Sequence, residues 1–164
     1  MPALGILLLL LMSCTTISPE AENLNRVAYQ TAKRIEKRMP LICTDIGASI
    51  PEKIESVTIT FDYNVPFTIT EGRKIILSSI NIALETFQND LSIQKYLKTK
   101  PFGINNVDIF LYSEPYAFKE TPTELLSSVY FMNGVIAYRR FNSQNNELEN
   151  ILKETYEEAL QKCQ

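Results

Sequence analysis

Nucleophilic and proton-transfer chemistry near neutral pH draws first on histidine and cysteine, and this chain of 164 residues has no histidine and three cysteines, Cys14, Cys43 and Cys163. Without an imidazole there is no Ser-His-Asp or Cys-His nucleophile, no HExxH zinc site and no other histidine ligation of a metal. Any catalysis would have to run on carboxylates, lysine or tyrosine. One spacing invites a closer reading: in Ser92-Ile-Gln-Lys95 a helix would set the lysine amine one turn from the serine hydroxyl, where it could take the hydroxyl proton. The acidic residues nowhere take the spacing of an EF-hand loop, and no glycine-rich segment could cradle a phosphate. Neither a metal nor a cofactor is expected.

The Ser92 quartet is similar to the first motif of the penicillin-interacting serine enzymes, but the companion motifs are missing: no S-D-N follows, and Lys98-Thr99-Lys100 lacks the glycine of K-T-G. No catalytic residue is assigned on this basis.

The first cysteine has a different context. Leu4 to Met12 is apolar apart from Gly5, a run far shorter than the roughly 20 residues of a membrane-spanning helix. It has the length of a signal-peptide core, which is set aside from reasoning about the fold. The run ends in Leu11-Met12-Ser13-Cys14, which resembles the lipobox of bacterial lipoproteins: leucine three before the cysteine, a small residue just before it, and cysteine as the first mature residue. The resemblance implies a diacylglyceryl group on the Cys14 thiol, cleavage after Ser13 and acylation of the new amine. Several acyl chains, at about 0.8 kcal/mol per buried methylene, make a stable anchor where one would be marginal. The implied organisation is a signal peptide over 1–13, a lipidated tether over 14–18 and one domain over 19–164, held in the bacterial cell envelope. Thr15 follows the cysteine where an aspartate would favour inner-membrane retention in enteric bacteria, so in a Gram-negative organism the outer membrane is the better expectation.

Export would place Cys43 and Cys163 where disulfides persist. A bond between them would close a loop of about 120 residues and lower denatured-state entropy by roughly 4.5 to 5 kcal/mol in the chain-entropy picture. Two free thiols are the alternative. The bond requires the ends of the first and last helices to bring their Cα atoms within about 4.4 to 6.8 Å.

Sixteen Lys and Arg against nineteen Asp and Glu give a net charge of -3. No positive excess is available for a phosphate backbone, which argues against nucleic acid as a partner. The basic residues Arg26, Lys33, Arg34, Lys37 and Arg38 gather near the tether; they could meet anionic lipid, form a solvated face, or pair with Glu147, Glu149, Glu154, Glu157 and Glu158 at the other end of the chain.

These groups must be carried by regular elements. Ser18-Pro19 reads as an N-cap with proline at the first helical position, opening a helix to about Met39 before Pro40. Leu41 to Pro51 reads as a connection. Ser56 to Tyr63 alternates strictly and reads as a strand with one buried face. Thr70 to about Asn89 reads as the most buried helix, Ser92 to Leu97 as a short helical piece, and Val107 to Ser113 as a second strand. Leu126 to Met132 and Val135 to Phe141 form a hairpin about Asn133-Gly134, a type I′ signal. Asn146 to Lys162 reads as the last helix. The expected fold is α+β, a four-stranded mixed sheet with helices mainly on one face, in the order α-β-α-β-β-β-α.

The two-residue turn fixes the hairpin register: Met132 faces Val135, Tyr130 faces Ala137 and Ser128 faces Arg139 on one side, while Phe131-Ile136 and Val129-Tyr138 share the other. The bulkier second set belongs against the helices. That leaves Tyr130, Met132, Val135 and Ala137 on the outer face, beside Tyr116 and Phe118 in a loop stiffened by Pro115 and Pro122, and Tyr116, Phe118, Tyr130, Met132 and Val135 are the candidate binding surface. The functional expectation is a non-catalytic protein-interaction or structural module, with a small envelope hydrolase or polysaccharide-binding accessory as the alternative. A ligand-sized cleft converging on two ionisable groups would favour the alternative; a flat aromatic surface would favour the module.

Overall fold

The computed structural model describes residues 18–163; the lipobox-like leader and Cys14 lie outside the described residues. The Ser18 hydroxyl caps α1 (Pro19–Arg38) by accepting from the Ala21 amide, and the helix carries Glu20 and Glu22 in its first turn and Lys37 and Arg38 in its last, as the helix dipole favours. Its buried stripe is Leu24, Val27, Ala28, Thr31, Ala32 and Ile35. The chain then makes β1 (Leu41–Ser49), β2 (Ser56–Tyr63), α2 (Ile69–Asn89) and a single turn α3 (Leu91–Gln94). It continues through β3 (Val107–Ser113), β4 (Ser128–Met132), β5 (Val135–Asn142), β6 (Glu147–Thr155) and α4 (Tyr156–Gln161).

All six strands form one sheet in sequential order, and only β2 and β3, joined through α2, run parallel. α2 opens with a reciprocal capping box, the Thr68 hydroxyl accepting from the Glu71 amide while the Glu71 carboxylate accepts from the Thr68 amide. One face of the sheet meets the helices. Val57, Ile59, Phe61, Val107, Ile109, Leu111, Val129, Phe131, Ile136 and Tyr138 are all buried there against Ile76, Ile80, Ala83 and Phe87 of α2 and the stripe of α1. Each large apolar side chain buried in this layer contributes about 1.5 to 3 kcal/mol.

The α+β class holds, but the expected four-stranded sheet is corrected to six strands, one added at each edge. Leu41–Ser49, expected to be a connection, pairs antiparallel with β2. The expected last helix, Asn146 to Lys162, is mostly β6, which pairs antiparallel with β5, and only six residues remain helical. The turn before β6 holds Asn146 at φ 59°, and the Asn142 and Asn145 side chains accept from the amides of Gln144 and Glu147. Those contacts reverse the chain where a helix N-terminus was expected.

The two edge strands also overturn the Cys43 to Cys163 bond: both thiols are free. Cys43 lies on β1 at one edge of the sheet, and Cys163 follows α4, which packs against α2 under the far strands β5 and β6. With about 4.8 Å between neighbouring strands, several strand widths separate β1 from that end of the sheet. The Cys43 amide points away from β2 and donates to Glu36 Oε1 of α1 at 2.8 Å, while burial and the nearby Glu36 carboxylate push the Cys43 thiol above its ordinary range. The basic residues of α1 do not meet the C-terminal acids either. Arg26 pairs with Asp90, Lys33 with Glu36 and Arg34 with Glu85.

Candidate functional site

The Ser92 and Lys95 pair is not assembled for catalysis. The Ser92 hydroxyl donates to Asp90 Oδ1 at 2.6 Å and accepts from Arg26, while Lys95 Nζ sits 4.7 Å from the centroid of the Tyr96 ring. The Arg26 guanidinium holds the Asp90 carboxyl down at about 2, so this group ties α1 to the start of α3 as a permanent anion.

A second polar cluster lies under the sheet, where the hydrophobic pattern gives no hint of it. Glu154, buried at the inner end of β6, accepts from Arg73 Nε at 2.6 Å, Lys162 Nζ at 2.7 Å and the Tyr138 hydroxyl. Burial pushes the Glu154 carboxyl up, but the three donors outweigh it and hold the group at about 2. Burial and the same carboxylate raise the Tyr138 phenol far above its ordinary range. The Arg73 guanidinium lies 5.7 Å from the Tyr138 ring centroid. Both carboxylate oxygens are occupied, so the cluster closes α2, β5, β6 and α4 on one another and leaves nothing to offer a substrate.

The outer face of the sheet is different. The strand pairing sets Ile42, Asp62, Tyr112, Ser128, Arg139 and Asn150 in one row across all six strands, and Asp45, Thr60, Phe110, Tyr130, Ala137 and Lys153 in the next. The hairpin register is the expected one at all five pairs, with Asn133 and Gly134 both at positive φ in the turn. Tyr130 stacks on Phe110 with ring centroids 5.6 Å apart, and Tyr112 stacks on Phe118 at 6.2 Å. Arg139 bridges the two stacks, its guanidinium 4.7 Å from the Tyr130 centroid and 6.0 Å from that of Tyr112. Its Nε donates to Ser128 Oγ at 2.9 Å, whereas Nη2 is buried with no acceptor among the described residues.

Of the five candidate surface residues, Phe118 is 68% exposed and Met132 40%, while Tyr116, Tyr130 and Val135 are half-buried. Tyr116 belongs to a single 3-10 turn, Glu114–Tyr116, that caps the end of β3. Ala137, between Tyr130 and Lys153, is buried.

Where the 114–118 segment folds over the end of β2 and β3, a cleft of about 380 Å³ is lined by Thr44, Thr60, Asp62, Tyr112, Glu114 and Phe118. Burial, and then the Glu114 charge, push the Asp62 carboxyl up. Among the described residues neither Asp62 nor Glu114 has an ion-pair or hydrogen-bond partner. By type Phe118 stands out in the sequence as a candidate surface residue, but neither acid does, because Asp62 reads only as the polar phase of a strand and Glu114 as a loop charge. No cluster of three or more His, Cys, Asp or Glu suited to a metal occurs among the described residues, and none of the described helices is long and apolar enough to cross a membrane. No protein-family model, curated protein or solved structure matches the chain.

Proposed function

We propose that this protein is a non-catalytic binding module of the bacterial cell envelope, tethered by lipid at Cys14, which holds a protein partner on the outer face of its sheet. The observation that carries the reading is the asymmetry of that sheet. Helices cover one face, while the other presents stacked Phe110, Tyr112, Phe118 and Tyr130 with Met132 exposed beside them. Aromatic residues, methionine and a central arginine are the side chains enriched at protein interfaces. The tether enters at the N-terminus of α1, within the helical layer, so an anchor there leaves the outer face clear.

A photoreactive amino acid at Met132 in the full-length protein, expressed in its own cells, should capture a discrete partner, while the same probe at Tyr29 on the exposed side of α1 should not. Met132→Lys should keep the melting temperature and remove capture by a probe at Val135. Equal capture from both sides, or capture unchanged by Met132→Lys, overturns the reading. The anchor is tested separately: Cys14→Ser should leave an unprocessed or soluble form, and a variant that still fractionates with membranes contradicts it.

The cleft gives the hydrolase or polysaccharide-binding alternative one observation in its favour, since two carboxylates and two aromatic rings converge there. Oligosaccharide cleavage by the purified protein, lost in Glu114→Gln, would decide for the enzyme.

A further inference from the structure

The cleft is small, open to solvent and lined by three kinds of chemistry. Tyr112 and Phe118 supply stacked rings, Asp62 and Glu114 supply carboxylates, and Thr44 and Thr60 supply hydroxyls. The charge in it is not balanced. Ion pairs elsewhere in the domain join nearby residues, Arg26 to Asp90 and Lys98 to Glu55, yet no lysine or arginine among the described residues reaches Asp62 or Glu114. Arg139, the cation of the same row, lies two strands beyond Tyr112 with its guanidinium over the Tyr112 and Tyr130 rings. Burial, and after it the Glu114 charge, raise the Asp62 carboxyl.

We propose that this cleft binds an organic cation, an alkylammonium or guanidinium group, set against the Tyr112 and Phe118 rings and neutralised by Asp62 and Glu114. The electron-rich faces of aromatic rings and a pair of carboxylates attract the same kind of guest. A neutral sugar ring would stack equally well but would leave the charge on the two acids uncompensated. A divalent metal would leave the aromatic rings unused, and the cleft brings only two carboxylates together, with no cluster of three or more His, Cys, Asp or Glu among the described residues. An aromatic ring left 68% exposed gains little from folding, and in this reading Phe118 forms one wall of the cation site.

The inference rests on the outer face being the working surface, and it allows two sources for the cation: a free amine, or the side chain of a lysine or arginine on the docked protein. NMR spectra of the full-length protein in detergent, titrated with tetramethylammonium, butylammonium and the capped tripeptides Gly-Lys-Gly and Gly-Arg-Gly, read binding directly. Shifts should centre on Asp62, Tyr112, Glu114 and Phe118 for the cations and be absent for the neutral isosteres neopentane-type alcohol and pentanol. Tighter binding of the tripeptides points to a protein side chain, tighter binding of the simple amines to a free ligand. Asp62→Asn should weaken binding about tenfold and Phe118→Ala about threefold, and both variants should remain folded because both side chains lie on the solvent side of the sheet.

Equal binding of the neutral isosteres, a preference for N-acetylglucosamine oligomers or calcium over the amines, or no effect of Asp62→Asn overturns the proposal. If the cations fail to bind while Met132→Lys still abolishes partner capture, the cation site falls and the docking surface stands. If the cations bind and no capture occurs at Met132, the reverse holds.

Discussion

Two arginine and tyrosine clusters lie on opposite faces of the same hairpin, and they have opposite fates. Under the sheet, Arg73 and Tyr138 converge on Glu154, and Lys162 takes its second oxygen. On the outer face, Arg139 lies between Tyr130 and Tyr112 with its guanidinium hydrogen-bonded only to the Ser128 hydroxyl among the described residues, and the carboxylates that could have paired with it stand unpaired beyond the Tyr112 ring. The difference is one of placement. Glu154 sits on the inner phase of β6, so its cluster is complete within the fold, while Asp62 sits across the sheet from the cation of its own row. A closed cluster stabilises; a divided one leaves charge of both signs available to something outside the chain.

The largest effect should come from breaking the closed cluster. Glu154→Ala strands the buried Arg73 guanidinium and the Tyr138 phenol under the sheet and should cost about 3 to 5 kcal/mol, read from the urea midpoint. Replacing Arg73 and Glu154 together by leucine should recover most of that loss, since an apolar pair of similar volume avoids the desolvation of both charges. A cost of about 1 kcal/mol or less for the single variant would mean the cluster is no more than a surface pair.

Acid should sharpen the same comparison. Glu154 is held at about 2 against an ordinary 4.5, so its pairing stabilises the fold fully above about pH 4.5 and the stabilisation is lost as pH falls through that value toward 2. The stability gap between the parent and Glu154→Gln should therefore narrow across that window and be flat between pH 6 and 8. A gap unchanged down to pH 2 would place the stabilisation in packing instead of charge.

The smallest effect should come from the open cluster. Arg139→Met removes a guanidinium resting on two rings and one hydrogen bond to Ser128, and should change stability by about 1 kcal/mol or less. A loss comparable to that of Glu154→Ala would make the outer cluster structural too, and the contrast between the faces would vanish.

How much of this was legible in the chain depends on whether side-chain phase survives along each strand. β2 and the β4 to β5 hairpin alternate without interruption, and their residues face as the sequence indicates. β1 does not. Leu41 and Cys43 face inward, a bulge then takes up Thr44, and Ile46 and Ala48 carry the inward phase on even numbers. β6 has a bulge at Ile151, which leaves Leu148, Ile151 and Leu152 at the spacing of a helical stripe, among glutamates and a lysine that favour helices. In both cases one extra residue erased the period of two. The candidate site suffered likewise: its aromatics stood out by type, whereas Asp62 and Glu114 meet only because β3 lies beside β2 and the 3-10 turn folds back over the strand end.

The Glu36 carboxylate on the Cys43 amide bears on how copies of the protein treat one another. A strand at the rim of a sheet offers its free backbone donors to any extended chain that drifts alongside, and β1 is the more inviting rim here, with Asp45 its one charged residue, whereas β6 carries several. By occupying one of those donors, and by bringing Lys33 with it, Glu36 sets a charged plug near the start of the rim, beside α1. Such a plug opposes the pairing of one copy's rim with the next, the step by which crowded sheets are knitted into a continuous ribbon.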